Sequence, residues 1–107
     1  GKRTSWRRKV SLEKVLAENR RIAILRTLNE DQDRQLNTSI IQDFLGVIGH
    51  RCSRDRIETE CAWLAEQGLV TVEQVGPVQV VTLTGRGQDV AEGVATVPGV
   101  KRPRAGG

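Results

Sequence analysis

The sequence predicts a mainly helical domain with one β-hairpin, in the element order of a winged helix-turn-helix. The first observation is a helix with clear start and stop signals that ends at Gly68. The second is a pair of β-branched runs that follows this helix directly, and the third is a shorter apolar helix that precedes it. Two consecutive helices followed by a hairpin are typical of winged helix-turn-helix domains.

The helix that ends at Gly68 carries recognisable signals at both of its ends. Ser53 is suited to cap the N-terminus, and Asp55 places a negative charge where the helix dipole favours one. Gly68 can adopt the left-handed conformation that ends a helix, and Leu69 can then complete the apolar contact of a Schellman motif. We therefore expect the helix to end at Gln67. Its apolar face, at helical spacing, contains Ile57, Cys61, Leu64 and Ala65.

The hairpin follows from two runs rich in β-branched residues. These runs are Leu69–Gln74 and Val78–Leu83, and Gly76 and Pro77 lie between them. Glycine can supply a positive φ and proline fixes its own φ, so the pair is suited to a tight turn between antiparallel strands. We expect this hairpin to be the wing.

The first helix is expected from Ser11 to Asn29, because apolar residues recur there every three or four positions. Asn19 interrupts this stripe, and it either lies at one end of the core or bonds to neighbouring backbone. Residues 30–34 are a charged connector without apolar side chains and are expected to form a loop. The predicted stripe consists of Leu12, Val15, Leu16, Ile22, Leu25 and Leu28.

A short strand and a second helix are expected next. Gln35 and Leu36 are suited to a very short strand, and Asn37 is suited to cap the helix. Leu36 and Ile41 have the spacing of a hydrophobic staple across that cap. Gly49 is expected to end the helix, whose predicted buried face consists of Ile40, Ile41, Phe44, Leu45 and Ile48.

A last short helix is expected after the hairpin. Thr84 can cap it and Gly93 can end it, while Val90 and Ala91 supply its apolar side. Gly85 and Gly87 weaken its start, because each glycine costs about 1 kcal/mol relative to alanine inside a helix. The full expected order is helix, short strand, helix, helix, strand, wing, strand and helix.

The excess of basic residues lies at the two ends of the sequence. The chain has 17 Lys and Arg residues against 13 Asp and Glu residues, a net charge of +4. Residues 1–10 and 101–107 together hold eight of these bases and no acid. Residues 11–100 therefore carry nine bases and all 13 acids, a net charge of −4. We expect a basic N-terminal arm at 1–10, the winged domain at 11–95, and a basic flexible tail at 96–107.

Catalytic and metal-binding patterns are absent from the sequence. It has one histidine, no glycine-rich phosphate-binding loop with its lysine, and no Gly-x-Ser-x-Gly elbow. Cys52 and Cys61 form no Cys-x-x-Cys pair, so neither a disulfide scaffold nor a zinc ribbon is expected. His50 and Cys52 are too few ligands for zinc. We expect a non-enzyme with no metal, no cofactor and no small-molecule substrate. Since no apolar run reaches about 18 residues, we expect no membrane span.

The helix that Ser53 caps is the candidate for reading double-stranded DNA. Its N-terminal half would enter the major groove while the wing lies along the phosphate backbone. Arginines there can contact phosphate or guanine, and Asp55 or Glu58 can accept a hydrogen bond from cytosine N4. The predicted DNA-binding residues are Arg51, Ser53, Arg54, Asp55, Arg56, Glu58, Thr59, Gln74, Gln79 and Arg86. The basic ends would add nonspecific, salt-sensitive phosphate contacts through Arg7, Arg8, Lys9, Lys101, Arg102 and Arg104, or are ordinary solubilising ends.

The outward face of the same helix also fits a different function. At 100° per residue, the side opposite the apolar face carries Asp55, Glu58, Thr59, Ala62 and Glu66. The wing tip from Val75 to Val78 is apolar apart from its backbone, whereas a phosphate-binding wing normally presents Lys or Arg. The alternative hypothesis is therefore a protein-interaction module that uses the acidic helix face and the apolar wing tip. A third is single-strand or RNA binding through Trp6 and the basic arm.

Two stretches resemble known winged-helix proteins. "SRDRIETECAWLAEQGLVTVE" and the "VTLTGRGQDVAEG" that follows the wing resemble the winged-helix domains of ArsR-like bacterial repressors. With "TSWRR" and "ATVPGVKRPR" included, the chain is similar to small winged-helix proteins of Mu-like phages and prophages. Metal-sensing repressors of the ArsR type carry a paired-cysteine motif that this sequence lacks, so metal sensing is not implied.

The resemblance implies a DNA-binding transcriptional regulator of phage or prophage origin in the bacterial host cytoplasm. By analogy it also implies a homodimer formed through the first and last helices. The expected partners are double-stranded DNA, a second copy of the chain, or another protein.

Overall fold

In a computed structural model, which describes residues 2–103 and the side chains of residues 11–103, the chain has a small α+β fold. Within that range lie four helices and one three-stranded antiparallel sheet. The order of these elements along the chain agrees with the predicted order. Its helices are α1 (Lys2–Glu30), α2 (Thr38–Val47), α3 (Arg54–Glu66) and α4 (Gly85–Ala91), and its strands are β1 (Gln35–Asn37), β2 (Val70–Val75) and β3 (Val78–Leu83).

The sheet has the order β1-β3-β2, which leaves β2 at an edge. Both pairings are antiparallel: Leu36 lies opposite Val81, and Val75 lies opposite Val78 at the end of the hairpin. Gly76 has a φ of +58°, as a two-residue turn of this kind requires. The predicted hairpin is thus confirmed, with β2 starting and ending one residue later than expected.

Three predicted N-caps are confirmed by their hydrogen bonds. The side chain of Asn37 accepts from the Ile40 N–H at 2.9 Å, and the Ser53 hydroxyl accepts from the Arg56 N–H at 3.1 Å. The Thr84 hydroxyl accepts from the backbone N–H three residues later at 3.0 Å, and it donates to the Gly68 carbonyl at 2.8 Å. Local side-chain chemistry therefore fixes where α2, α3 and α4 begin.

The predicted end of α3 is also confirmed. Gly68 has a φ of +76°, its N–H donates to the Ala65 carbonyl, and the Leu69 N–H donates to the Leu64 carbonyl. These two bonds are those of a Schellman motif. Leu69, the residue that closes the motif, is fully buried and directly precedes β2. The motif and the core together therefore fix the direction in which the chain leaves α3.

The core lies between the C-terminal half of α1, the inner faces of α2 and α3, the sheet and α4. Burial here removes the apolar surface of these helices and of the sheet from water, which is the main stabilising contribution to the fold. The side chains that are completely inaccessible to solvent include Ile24, Leu25, Leu28, Ile41, Leu45, Ile57, Cys61, Leu64, Leu69 and Val81.

The predicted start of the first helix and part of its buried stripe are wrong. The helical backbone begins at Lys2 instead of Ser11, so residues 2–10 continue the helix. Leu12, Val15 and Leu16, expected in the core, are exposed by 57%, 49% and 45%. At 1.5 Å per residue the 29-residue helix is about 43 Å long. Among its described side chains, those that the rest of the domain buries lie in the C-terminal half. No helix of the described chain is long and apolar enough to span a membrane.

The predicted buried face of α2 is only half correct. Ile41 and Leu45 are buried, whereas Ile40, Phe44 and Ile48 remain about half exposed. The helix is ten residues long and lies at the edge of the core, so one side of it meets other elements and the other meets solvent. The apolar stripe is therefore wider than the surface that this chain covers.

The expectation of a flexible tail from residue 96 is wrong for residues 96–103. Val97 and Val100 are buried, and the Lys101 N–H donates to the Glu18 carbonyl at 3.2 Å. Two valines are enough to anchor this segment against α1 and α3, although its prolines and glycines prevent regular secondary structure. We refer to residues 94–103 as the C-terminal strap.

Gly87, which the sequence marked as a weakness of α4, permits close packing. A Cβ atom at this position would lie 2.0 Å from the Leu69 carbonyl oxygen and 2.7 Å from the Leu83 side chain. A side chain at Gly85 would meet nothing within 4 Å. The first turn of α4 can thus approach the start of β2 only because residue 87 lacks a side chain.

Candidate nucleic-acid interface

The N-terminus of α3 is surrounded by exposed arginines. Ser53 caps the helix, and Arg51, Arg54 and Arg56 lie just before it or in its first turn, all of them exposed. Asp55 is the acidic residue of the same turn and is exposed as well. The helix dipole adds positive potential at this end. The arrangement can receive an anion such as a phosphate oxygen.

Arg54 also ties α3 to α2. Its Nε donates to Gln42 Oε1 at 3.2 Å, and its Nη2 donates to Ser39 Oγ at 3.2 Å. The Gln42 amide in turn donates to the Cys52 carbonyl at 3.0 Å. These bonds hold the turn between the helices and the start of α3 against α2. Arg54 is therefore more restrained than Arg51 and Arg56, for which no side-chain hydrogen bond is found among the described residues.

The outward face of α3 is acidic, as predicted. Asp55, Thr59 and Glu66 are exposed, and Glu58 is partly buried. The acids and the arginines are interleaved along the first two turns, so the face presents both signs of charge. A surface of this kind favours hydrogen-bonding groups in a defined pattern over a uniform layer of negative charge.

The tip of the hairpin is largely apolar and contains no cation. Gln74 and Gln79 are cross-strand neighbours, and the Gln74 amide is used locally, donating to the Gly76 carbonyl at 2.9 Å. Val75 is 50% exposed and Pro77 is exposed beside it. Arg86, in the first turn of α4, is exposed and belongs to neither the hairpin nor α3.

The predicted phosphate contacts of the basic ends fall into two groups. Lys101 and Arg102 are exposed on the C-terminal strap, where Lys101 Nζ donates to Asn19 Oδ1 at 3.2 Å. The strap therefore fixes their backbone against α1. The side chains of the others, Arg7, Arg8, Lys9 and Arg104, lie outside the described residues, and so does Trp6.

A buried charge cluster was missed by the sequence interpretation. Glu60 is only 2% exposed, and its two carboxylate oxygens accept from Arg20 Nε at 3.1 Å and from Arg21 Nε at 2.9 Å. A signal was present in the sequence: Glu60 lies three residues after Ile57 and four before Leu64, and therefore on the apolar side of α3. An acid in that position requires a basic partner.

Trp63 completes this cluster on α3. The Arg21 guanidinium lies 4.0 Å from the centre of the Trp63 ring and donates through Nη1 to the Gly99 carbonyl at 2.9 Å. A Cβ atom at Gly99 would be 2.7 Å from the Trp63 ring, so the strap backbone lies directly against the indole. Trp63 therefore packs against the first helix through Arg21. The cluster joins α1, α3 and the strap. It therefore holds α3, whose first turn carries Arg54 and Arg56, against the rest of the domain.

The two cysteines have the character of structural residues. Burial raises the pKa of the Cys61 thiol to about 12, with Glu60 and Glu58 adding to the effect. Burial also raises the pKa of Cys52, against the opposing influence of Arg20 and Arg56. Both thiols are therefore protonated at neutral pH, which disfavours a role as nucleophiles.

Comparison with known proteins relates the chain to phage Mu. It is 57% identical to the uncharacterised protein gp26 of Escherichia phage Mu over 90 residues, which are 84% of this chain and 93% of the phage protein. The chain belongs to the phage Mu gp26 family. A further relative of this gp26 family member is an uncharacterised protein of Haemophilus influenzae, 39% identical over 66 residues, which are 62% of this chain and 64% of that protein. No protein-family model matches the sequence.

Proposed function

We propose that the protein is a winged helix-turn-helix DNA-binding regulator of phage or prophage origin that acts in the bacterial host cytoplasm. In this proposal α2 and α3 form the helix-turn-helix, and α3 enters the major groove with its N-terminal half. The hairpin β2–β3 is the wing and lies along the phosphate backbone. The relationship to phage Mu gp26 supports the phage setting.

The observation that carries the proposal is the capped N-terminus of α3 with its three exposed arginines. A recognition helix must present donors at its N-terminal end and must be held rigidly on the domain. Ser53 satisfies the helix end, and the bonds from Arg54 to α2 orient the start of α3. Arg51 and Arg56 then have free guanidinium groups for phosphate oxygens or for guanine O6 and N7.

The acidic residues of α3 are expected to make this interface selective for particular DNA sequences. Asp55 and Glu58 repel phosphates but can accept from cytosine N4, so a sequence that offers no such donor is disfavoured. Binding to random duplex is then expected to be weak, because the negative charges offset part of the nonspecific attraction. A selected site would restore affinity through base contacts.

Binding of full-length protein to labelled duplex DNA at about 50 and about 200 mM salt tests the proposal. Arg56→Ala and Arg51→Ala should each weaken binding and make the salt dependence shallower, by about one unit of logarithmic slope per lost phosphate contact. Lys14→Ala, an exposed cation on α1, is the matched control and should leave affinity unchanged. Equal affinities for the wild type and both arginine variants would refute groove entry by α3.

A second candidate function, protein binding, is favoured by the exposure of the hairpin. Val72 and Val75 are exposed on the edge strand β2, and Pro77 is exposed at the turn. Edge strands and apolar tips are suited to contacts with another protein. If the arginine substitutions leave duplex affinity unchanged and Val75→Lys abolishes binding to a protein partner, protein binding through the hairpin replaces groove entry by α3 as the proposed function.

A further inference from the structure

The uncovered part of α1 continues a groove on the surface of the domain. The groove has a volume of about 630 Å³ and lies between α1, α2 and the C-terminal strap. Its α1 side includes Asn19, Ile22 and Ala23. Val15 and Leu16 are four and three residues before Asn19, and Leu12 is seven before it, so they lie on the same helix face. One apolar surface therefore runs from the exposed half of α1 into the groove.

The opposite wall of the groove is the uncovered side of α2. Phe44 and Ile48 line it, and both are about half exposed. Ile40 and Val47 are exposed on the same helix. Exposed apolar surface of this extent on a small domain is characteristic of an interaction site. The chain thus presents a projecting apolar stripe, consisting of Leu12, Val15 and Leu16, and a groove with apolar walls on α1 and α2. The lining of the groove also includes charged residues, among them Arg26, Glu30, Lys101 and Arg102.

We propose that a second copy of the chain occupies this groove, with the two α1 helices antiparallel and a two-fold axis near Asn19. In that arrangement the stripe of each copy fills the groove of the other between Ile22, Ala23 and Phe44. The geometry is self-consistent, because Val15 and Leu16 lie four and three residues before Asn19, and the groove residues Ala23 and Ile22 lie four and three residues after it. Every copy supplies one stripe and one groove, as an isologous interface requires.

The charges along α1 determine this orientation. Its first turns carry Arg7, Arg8 and Lys9, whereas its C-terminal end and the following turn carry Glu30 and Asp31. Antiparallel pairing about residue 19 places these oppositely charged segments of the two copies together. Parallel pairing would place like charges side by side and would be destabilised. Charge complementarity therefore favours a second copy of this same helix over an apolar helix without such a gradient.

Asn19 has a defined role in this arrangement. It interrupts the apolar stripe, lines the groove, and uses its side chain to donate to the Val15 carbonyl at 2.7 Å and to accept from Lys101. A polar residue at the centre of an otherwise apolar helix pair fixes the register of the pair, at some cost in stability. At the two-fold axis it would face its own counterpart.

The interface differs from the one that family resemblance implies. The resemblance implies contacts through the first and last helices, but α4 already packs its apolar residues Val90 and Ala91 into the core of its own chain. The uncovered apolar surface belongs to α1 and α2. This inference does not depend on DNA binding, because no residue of α3 or of the hairpin takes part.

Sedimentation equilibrium of the full chain over a wide concentration range tests the proposal. We expect a monomer–dimer equilibrium for the wild type, which Leu16→Glu should weaken at least about tenfold by placing a charge in the partner's groove. Val94→Glu is the matched control: Val94 is 75% exposed, more than Leu16, and lies outside the groove. Circular dichroism spectra and melting curves establish that all variants are folded.

Mixing two variants distinguishes this interface from other dimers. Phe44→Lys should disrupt the groove side, so Leu16→Glu and Phe44→Lys should each be mainly monomeric when studied alone. A mixed dimer contains two stripe–groove contacts. In one of them the native stripe of the Phe44→Lys copy enters the native groove of the Leu16→Glu copy, and in the other the new Glu lies opposite the new Lys. We therefore expect the mixture to form dimers again.

Three results would overturn the inference. The first is a wild-type chain that stays monomeric at the highest concentration, which would leave the groove to a different partner. The second is a dimer that is unaffected by both substitutions, which would place the interface elsewhere. The third is a mixture that remains monomeric although each variant is folded, which would exclude the reciprocal fit of stripe and groove.

Discussion

The two halves of α1 have the same apolar spacing but opposite environments. In the C-terminal half, Ile24, Leu25 and Leu28 are completely buried beneath α2, α3 and α4. In the N-terminal half, Leu12 and Leu16 have no covering element among the described residues and remain about half exposed. At 100° per residue, Leu12 and Leu16 lie on roughly the opposite side of the helix from Leu25 and Leu28. The rest of the fold covers the side that carries the second set.

Periodicity therefore identifies a face of a helix but not the group that covers it. In the C-terminal half the covering is completed by specific interactions, among them the bonds of Arg20 and Arg21 to Glu60 and the contact of the strap with Trp63. The N-terminal half has no comparable long-range side-chain bond among the described residues. Four substitution experiments test this contrast.

The largest difference is expected between Leu25→Ala and Leu16→Ala. Leu25→Ala should lower the free energy of unfolding by about 3 kcal/mol, because it removes buried methyl groups and leaves a cavity. Leu16→Ala should change it by less than about 1 kcal/mol at a protein concentration low enough to dissociate the proposed dimer. Urea unfolding at equilibrium measures both values. Similar losses for the two variants would mean that the N-terminal half is also covered within a single chain.

The next effect is expected when the charge cluster is broken. Glu60→Ala should cost about 3 kcal/mol, since it leaves Arg20 and Arg21 partly buried without their carboxylate. Glu58→Ala, two residues away on the outward side, is the control and should stay within about 0.5 kcal/mol. Thermal unfolding of both variants compares them. A small loss for Glu60→Ala would show that the arginines find solvent or other partners without cost.

A smaller effect is expected from the two glycines of α4, the helix that covers one side of α1. Gly87→Ala should destabilise by roughly 1–3 kcal/mol, because the new methyl group overlaps the Leu69 carbonyl. Gly85→Ala should stabilise by roughly 0.4–1 kcal/mol, because its site is open and its φ is not positive. Changes of opposite sign in the free energy of unfolding, measured by chemical denaturation, would confirm that residue 87 must be glycine because of its close approach to Leu69, and not because of helix propensity.

The smallest effect concerns the pH dependence of stability through Cys61. Its pKa is raised by burial from 9.0 to about 12, so between these values the unfolded chain loses this proton while the folded chain keeps it. The contribution of Cys61 to stability is therefore complete below pH 9 and falls as the pH rises toward 12. In Cys61→Ala the decline between pH 9 and 10.5 should be shallower, as measured by urea unfolding at each pH. If the free energy of unfolding declined equally with pH in the wild type and in Cys61→Ala, the raised pKa of Cys61 would be contradicted.

Local elements were predictable because their signals are local. The caps at Asn37, Ser53 and Thr84 and the Schellman end at Gly68 depend on side-chain and backbone groups a few residues apart. The turn at Gly76 likewise needs only a residue that tolerates a positive φ. The exposure of Arg56 also follows from its position on a helix face, and that of Arg51 from its place in the turn before α3.

Long-range features were not predictable in the same way. The strap at residues 94–103 has the composition of a loose tail, and only its contacts with α1 and Trp63 give it an ordered position. Glu60 was recognisable as an acid on an apolar face, but its arginine partners are 39 and 40 residues away in sequence. Gly87 had the appearance of a weak helix start, since no local signal reports the distance to Leu69.

The sequence by itself determined the order of the elements, the limits of α2 and α3, the hairpin and the acidic character of the outer helix face. These depend on capping, helical spacing and turn chemistry, all of which act within a few residues. Only the tertiary structure decided which half of α1 is covered, which side of α2 remains exposed, and where the strap lies. Burial depends on surfaces that distant segments bring together, and a pattern along one segment contains no information about their reach.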